Sequence, residues 1–198
     1  MIIGLTGSIA TGKSTVANML RAKGFPIVDA DVISREIVEP GSPVLKEISE
    51  AFGEGALRED GTMNREWIGA RIFGDETERQ KLNRIMHPAV RKEMLRQKDE
   101  WLGKGAQIVI MDIPLLFESK LQHFVDKILV VSASPKVQKE RLMARNHLTE
   151  EEADDRIHSQ LPIAEKESGA DAVIYNDGTL KETEKQLDQI LIEWQAQF

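Results

Sequence analysis

The chain has 198 residues, a length typical of one domain with room for an inserted subdomain, and it contains no cysteine, which excludes disulfides, thiol nucleophiles and thiolate metal sites. Its net charge of −7 argues against wholesale coating of nucleic acid or an anionic membrane, and no apolar run approaches the ~18 residues of a membrane span. The N-terminal segment lacks the basic start and apolar stretch of a signal peptide, so we expect a cytoplasmic protein. We also expect a monomer without nucleic-acid or membrane partners.

Five short apolar runs, each followed by polar residues, predict the strands of a parallel sheet. The runs are nearly continuous rather than alternating, as expected for strands that helices cover on both faces. Segments with helical periodicity separate them, and this alternation favours an α/β doubly wound fold, in which ligands bind beyond the carboxyl ends of the strands. The runs lie at residues 2–6, 25–28, 108–111, 128–131 and 172–175.

Residues 7–14 directly follow the first run and fit the phosphate-loop motif G-x-x-x-x-G-K-[ST] in full. Glycines let the backbone curl so that its N–H groups face an anion, and the following helix adds its positive N-terminal end. We expect Lys13 to bridge the β- and γ-phosphates of ATP and the Ser14 hydroxyl to ligate Mg²⁺. The residues expected to bind the nucleotide here are Ala10, Thr11, Gly12, Lys13, Ser14 and Thr15.

Asp29 and Asp31 follow the second run. Two residues apart on an extended chain, both carboxylates would face one pocket; alternatively, one of them caps the next helix. A hydroxyl that accepts a phosphoryl group gains from a carboxylate that takes its proton, whereas carboxylates would repel a phosphate acceptor. The pair therefore favours a kinase that phosphorylates a hydroxyl over a nucleoside-monophosphate kinase, with Asp31 as the catalytic base.

A long and mostly helical interval separates the second and third runs. The simplest explanation is a helical subdomain, about residues 40–103, inserted into a single domain that spans residues 1–198. Between residues 78 and 98 basic side chains outnumber acidic ones, which indicates an anion site or, alternatively, a solvated basic helix surface. His87-Pro88 lies in the middle of this stretch, and we expect the proline to break the helix there.

Three candidate residues lie in the second half of the chain. Asp112 ends the third run, where a carboxylate commonly holds Mg²⁺, although it could also simply begin a loop. Arg141 and Arg145 lie four apart in a helical segment, so they either offset phosphate charge from one helix face or form an ordinary solvated face. Asn146 is expected to end this helix, and residues 149–152 read as a capping box that starts another, which makes a helix–turn–helix lid plausible.

These candidate residues lie in longer segments that follow one another in a characteristic order. The segments are Val28-Asp29-Ala30-Asp31, His87-Pro88-Ala89-Val90-Arg91, Asp112-Ile113-Pro114-Leu115-Leu116-Phe117-Glu118, Arg141-Leu142-Met143-Ala144-Arg145-Asn146 and Ala170-Asp171-Ala172-Val173-Ile174 with Asn176. Together with the phosphate loop, they resemble the dephospho-CoA kinase family over nearly the whole chain. The chain departs from the family at Ser8, where a glycine is usual, and at Asp177, where an asparagine is common.

The resemblance implies that the protein uses MgATP to phosphorylate the ribose 3′-hydroxyl of dephospho-CoA, the last step of coenzyme A synthesis. It also implies a P-loop NTPase-type fold with a doubly wound parallel five-stranded sheet, a helical CoA-binding insert at about residues 40–103 and a helical lid at about residues 141–156. Asp31 matches the family's proposed base, Arg141 an ATP-binding and catalytic lid arginine, and Asn176 a residue near adenine. His87 and Arg91 fall where the family's insert approaches the acceptor.

A second interpretation keeps the fold and changes the acceptor to a nucleoside, a nucleotide or another small metabolite. The phosphate loop fits both interpretations, so only the acceptor separates them. A nucleotide switch of the GTPase type is not expected, because its guanine-binding motif Asn-Lys-x-Asp does not occur in the chain.

Overall fold

The computed structural model describes residues 1–195, and all five predicted strands are present in it. The strands are β1 (Ile2–Gly7), β2 (Ile27–Asp29), β3 (Val109–Asp112), β4 (Lys127–Ser132) and β5 (Ala172–Tyr175). They form one sheet in the order β2-β3-β1-β4-β5, in which β1 pairs in parallel with β3 and β4, and β4 pairs in parallel with β5. The predicted α/β sheet is confirmed, and the phosphate loop leaves it at the carboxyl end of the central strand.

Helices fill the intervals that the sequence periodicity assigns to them. In chain order they are α1 (Lys13–Ala22), α2 (Ala30–Glu36), α3 (Pro43–Phe52), α4 (Arg65–Ile72), α5 (Glu76–Gly103), α6 (Pro135–Asn146), α7 (Glu150–His158), α8 (Ile163–Ser168) and α9 (Leu180–Gln195). Among residues 1–195, none of these helices is apolar over the length that crossing a membrane requires.

The first compact unit comprises residues 1–28 and the chain from Trp101 onward. Its core lies between the sheet and two helices, where Ile3 and Leu5 of β1 share one apolar cluster with Leu20 of α1 and with Leu187 and Leu191 of α9. Burial of apolar surface contributes about 25 cal/mol per Å², so this cluster is what holds α1 on the sheet. As a result, the two elements that the loop connects, β1 and α1, are both held in place by the same core.

The second compact unit, Asp29–Glu100, has an apolar core of its own. Ile48 and Phe52 of α3 pack with Ile68 of α4, and Ile85 and Met86 of α5 pack against this cluster. The unit is therefore held together by contacts among helices that carry apolar residues on one side.

The predicted helix break at His87-Pro88 is wrong, because α5 continues through both residues. A proline inside a helix removes one N–H donor and crowds the preceding turn, and both effects cost free energy. The helix tolerates this because its apolar side chains are anchored on both sides of the proline, with Ile85 and Met86 packed before it and Met94 buried after it. The packing of the whole helix thus overrides the local preference of the residue before the proline.

Candidate active site

Two glycines of the phosphate loop are required by close approaches of neighbouring groups. A Cβ on Gly7 would lie 2.7 Å from the carbonyl oxygen of Val131 and 2.8 Å from Thr11 Oγ1. Gly12 has a φ of 92°, in the left-handed region, and a Cβ there would clash with Nδ2 of Asn176. The motif glycines therefore allow a tight turn that residues with side chains could not adopt.

The beginning of α1 presents free N–H groups, as the motif predicts. Gly12 forms the N-cap without a side-chain cap. Within residues 1–195, the amides of Gly12, Lys13 and Ser14 have no hydrogen-bond acceptor. The first turn of a helix carries a partial positive charge as well as these donors, so it can hold a phosphate group.

Side chains from outside the loop fix its peptide groups. Gln138 of α6 donates from Nε2 to the Ile9 carbonyl over 2.7 Å, and the Ile9 N–H donates to Oε1 of Gln160 over 2.8 Å. Gln138 is buried, so its amide contributes to the loop rather than to solvent contacts. Both polar groups of Ile9 are thus satisfied by residues at the start of α6 and just after α7.

Asn176, which the resemblance places near adenine, is also engaged within the chain. Its side chain is buried, with Nδ2 donating to the Thr11 carbonyl over 2.9 Å and Oδ1 accepting from the Thr183 hydroxyl over 2.7 Å. Both ends of the amide are therefore engaged within the chain, and the side chain links the phosphate loop to β5 and α9.

The following residue, Asp177, accepts a hydrogen bond from the Ser134 N–H over 2.8 Å at the beginning of α6. Hydrogen bonds from Ser134, and to a smaller extent the charge of Arg141, lower the pKa of the Asp177 carboxyl. An aspartate serves this role well because its ionised carboxylate accepts from the backbone at a helix N-terminus. The departure from the family at this position therefore has a local structural role.

Lys13 and Asp112 form an ion pair, with Nζ of the lysine against Oδ1 of the aspartate. The Asp112 side chain is almost fully buried, and that of Lys13 is 18% exposed. Asp112 ends β3 beside β1, and the register pairs it with Leu5. For Lys13 to bind phosphate oxygens as predicted, it must exchange at least part of this carboxylate contact for them.

Arg141 has a guanidinium nitrogen close to the phosphate loop without a hydrogen-bond partner among the described residues. It lies on α6, and its Nη1 is buried without a hydrogen-bond partner within residues 1–195, 3.9 Å from where a Cβ on Gly12 would stand. An unpartnered buried guanidinium nitrogen is costly, and an anion beside Gly12 would satisfy it. Arg145 differs, because it is exposed and its Nε donates to the neighbouring Asn146.

The predicted helical hairpin is confirmed in α6 and α7. His147 ends α6 in the left-handed conformation, and Thr149 and Glu152 form the capping box that begins α7. Hydrogen bonds from Thr149 lower the pKa of the Glu152 carboxyl. Lys139 joins the two helices through ion pairs of 3.0 Å with Glu150 and Asp154.

In the second unit, Asp29 and Asp31 have separate roles. Asp29 caps α2, with Oδ1 accepting from the N–H groups of Asp31 over 2.9 Å and Val32 over 3.1 Å. Asp31 is exposed in the first turn of α2. The capping alternative is therefore confirmed for Asp29, and the prediction that both carboxylates point the same way is wrong, because the strand ends at Asp29 and Asp31 is already helical.

One face of α5 carries cations without acidic partners. Arg84, His87 and Arg91 are three and four residues apart, are exposed, and form no ion pair within residues 1–195. Other cations of the same helix, among them Arg79 and Arg96, pair with glutamates. Partial burial and, secondarily, the charge of Arg91 lower the pKa of His87.

Comparison with known proteins identifies the family. The sequence model of the dephospho-CoA kinase (CoaE) family matches residues 1–182. The dephospho-CoA kinase of Bacillus cereus is 53% identical over 194 residues, which cover 98% of this chain and 97% of that protein. The chain belongs to the dephospho-CoA kinase family. It is thus a kinase of coenzyme A biosynthesis, with ATP as its co-substrate.

Solved structures agree with this family assignment. TT1252 from Thermus thermophilus is 32% identical, with a TM-score of 0.82 over 98% of this chain and 97% of that one. The dephospho-CoA kinase from Campylobacter jejuni is 28% identical, with a TM-score of 0.74 over 97% of this chain and 96% of that one. The P-loop kinase fold expected from the family resemblance is therefore confirmed.

Several residues that shape this family member's phosphate loop were not singled out by the sequence motifs. Gln138 lies in a polar helix and Gln160 just after one, and nothing in the sequence pattern distinguishes a glutamine that binds the loop from one that faces solvent. Lys166 is fully buried in α8, and its Nζ donates to the Gly7 carbonyl. Its carboxylate partner, Glu118, lies in a family segment, but the residue pattern alone did not indicate what it contacts.

Proposed function

We propose that this kinase transfers the γ-phosphoryl group of ATP to the ribose 3′-hydroxyl of dephospho-CoA, with Asp31 as the general base. The observation that carries the proposal is the open first turn of α1, flanked by Lys13 and by the unpartnered Nη1 of Arg141, in a chain of this family. These are the groups that hold and neutralise a triphosphate.

On the donor side, the loop amides bind the β-phosphate while Lys13 turns from Asp112 towards the β- and γ-phosphates. Arg141 adds a second cation beside Gly12. Both offset the negative charge that spreads over the phosphoryl oxygens in the transition state. Nucleotide contacts are proposed for Ala10, Thr11, Gly12, Lys13, Ser14, Thr15, Arg141 and Asn176.

The donor set fits Mg²⁺ bound together with the nucleotide. Ser14 is exposed directly after Lys13, and Asp112 is a buried carboxylate beside that lysine. Within residues 1–195 no cluster of three or more histidine, aspartate or glutamate side chains could hold a metal alone. This suits Mg²⁺, which usually takes one or two protein ligands and otherwise binds phosphates and water. When bound, the ion neutralises phosphate charge.

On the acceptor side, Asp31 takes the proton of the 3′-hydroxyl as its oxygen attacks the γ-phosphorus. A new P–O bond forms to the ribose, the bond to the β,γ-bridging oxygen breaks, and ADP leaves with that electron pair. An exposed carboxylate without a competing cation is free to accept this proton.

In this proposal the helical insert at about residues 40–103, most of which lies in the second unit, binds CoA. Dephospho-CoA carries a diphosphate, which Arg91 can bind through its charge and His87 through an N–H donor, since both side chains are exposed on one face of α5. The hairpin of α6 and α7 acts as a lid that excludes water, since transfer to water would otherwise compete.

We further propose that the protein works as a cytoplasmic monomer and has no nucleic-acid partner.

The test measures ADP release from MgATP with dephospho-CoA, nucleosides, nucleoside monophosphates and shikimate as separate acceptors. Dephospho-CoA should be the preferred acceptor and gain the mass of one phosphate. Periodate cleaves the free ribose diol of dephospho-CoA, so a product that resists periodate carries the phosphate on the ribose. Faster turnover of a nucleoside monophosphate, or a product that periodate still cleaves, would contradict the proposal.

A further inference from the structure

Lys166 is a buried lysine for which the mechanism above has no role. Its side chain is fully buried on α8. Lysine is almost never fully buried unless it is paired, because its charge loses hydration. Here Nζ lies 2.7 Å from Oε1 of Glu118 and donates to the carbonyl oxygen of Gly7 over 3.2 Å.

The Lys166–Glu118 pair joins three segments around the phosphate loop. Gly7 is the last residue of β1 and the first of the loop, and Glu118 lies in the segment that follows β3. The Leu161 N–H, just after α7, also donates to Glu118 Oε1 over 3.4 Å. The second carboxylate oxygen, Oε2, is buried without a hydrogen-bond partner, and among the described residues Lys166 is the cation that forms an ion pair with this carboxylate.

The stability of the fold does not by itself explain such a pair. Desolvation of two charges can cost more than their attraction returns, and apolar residues of similar volume often replace buried ion pairs without loss of stability. What an apolar residue cannot do is donate a hydrogen bond to the Gly7 carbonyl. The specific property that the lysine adds is therefore a donor aimed at the first peptide of the loop.

The contact of Lys166 with the Gly7 carbonyl fixes the orientation of the peptide group that joins Gly7 to Ser8. It is trans, so its C=O and N–H point in opposite directions, and fixing one fixes the other. Gly7 has no side chain to anchor and has no room for one beside Val131 and Thr11. A hydrogen bond to the Gly7 carbonyl can therefore orient the first peptide of the loop, where no side chain is present to do so.

We infer that Lys166 is a positioning residue for phosphoryl transfer, which acts through the Gly7 carbonyl while its ammonium group pairs with Glu118. The inference rests on the proposed function for its effect on turnover. The pair has no net charge, so its effect on the phosphates comes from the placement of the loop amides rather than from added positive potential. This distinguishes it from Lys13 and Arg141, whose charges act on the phosphates directly.

The test compares Lys166→Met, the double variant Lys166→Met/Glu118→Gln, and the control Lys127→Met. The single variant leaves the Glu118 carboxylate, whose Oε2 is buried, without its cation and should lower Tm. The double variant removes both charges and should recover most of that loss. Lys127 is the first residue of β4, away from the phosphate loop, and it pairs with Asp171. The Lys127→Met variant should therefore match the unaltered chain in turnover.

In the double variant, kcat should fall ~10- to 100-fold, since small displacements of catalytic groups have effects of this size. The Kd for MgATP, measured by calorimetry, should rise about tenfold through the misplaced amides. A double variant with a native Tm, and with kcat and Kd both within about twofold of the unaltered chain, would show that the pair is only structural.

The calorimetric arm separates this inference from the proposed function. If the unaltered chain does not phosphorylate dephospho-CoA, the proposed acceptor is wrong, but the MgATP affinities of the variants still decide the role of Lys166. An affinity that is unchanged in the folded double variant would then overturn the inference, and a loss would support it.

Discussion

The two compact units hold their candidate residues in different ways. In the first unit, carbonyl groups of Gly7, Ile9 and Thr11 each accept a hydrogen bond from a side chain elsewhere in the unit, so the phosphate loop is built into the fold. In the second unit, the exposed side chains of Asp31 and Arg91 form no hydrogen bond or ion pair within residues 1–195.

Under the proposed function, the first unit binds ATP and the second unit binds the acceptor, so this difference predicts different effects of substitutions in the two units. A loop whose peptides are fixed beforehand stabilises developing charge without reorganisation, which favours the transition state. Exposed charges act on a bound ligand more weakly than buried ones do, and added salt screens them. We therefore expect substitutions in the first unit to change ATP binding and turnover, and most substitutions in the second unit to change acceptor affinity, with Asp31 as the exception.

The largest effect is expected for Asp31→Asn. The amide is nearly isosteric with the carboxylate but cannot take a proton, so kcat should fall ~10²- to 10⁴-fold while the acceptor still binds. Steady-state kinetics with dephospho-CoA, together with calorimetric titration of that acceptor, measures both quantities. Glu36→Gln is the matched control, because it removes an exposed carboxylate at the other end of α2. Normal turnover by Asp31→Asn would refute the assignment of the base.

Lys13→Met should lower kcat ~10²- to 10³-fold, the range for loss of one charged donor at the transition state. Methionine keeps the aliphatic stem, so the packing of α1 is retained. Lys23→Met at the end of the same helix is the control, since Lys23 pairs with Glu184 and Asp188 instead. Turnover by Lys13→Met equal to that of this control would show that the ammonium group does not act on the phosphates.

Features that are set by short stretches of sequence could be predicted. The five strands follow from nearly continuous apolar runs, and the phosphate loop follows from a motif whose glycines and lysine act locally. The capping box at Thr149 and Glu152 is equally local, because both of its hydrogen bonds join residues within one helical turn.

Features that depend on packing between distant segments could not be predicted. The helix continues through Pro88 because Ile85 and Met86 before it pack on an apolar core and Met94 after it is buried, which no local rule predicts. Lys166 lies in a short polar segment, and its burial depends on Glu118 and Gly7, which are far from it in sequence. The contacts of Asn176 with Thr11 and Thr183 likewise join residues from separate parts of the chain, so no local pattern predicts them.

A smaller effect is expected for Arg91→Ala in the second unit. Loss of one exposed cation should raise the KM for dephospho-CoA about fivefold, with kcat nearly unchanged. The effect should shrink as salt is added, because exposed charges are screened. Arg96→Ala is the control on the same helix, since Arg96 is already paired with Glu93 and Glu100. An equal rise in KM for both variants would indicate a general loss of positive charge rather than a binding face.

The smallest expected effect is on the titration of His87. Partial burial, and then the charge of Arg91, lower the pKa of His87 below its ordinary value of 6.5. Because the folded chain binds this proton less readily than the unfolded chain, any contribution of His87 to stability is lost as the pH falls through 6.5 and below. Histidine NMR signals measure the pKa directly.

Arg91→Ala removes only the second of these two causes, so the pKa of His87 should rise in that variant but stay below 6.5. Arg96→Ala should leave it unchanged, because the charge of Arg96 is not among the causes that lower this pKa. A pKa in Arg91→Ala that does not move would mean that the two side chains do not sense each other on the helix surface. The cationic face would then be a set of independent charges, and the fivefold effect on acceptor binding would have to come from Arg91 alone.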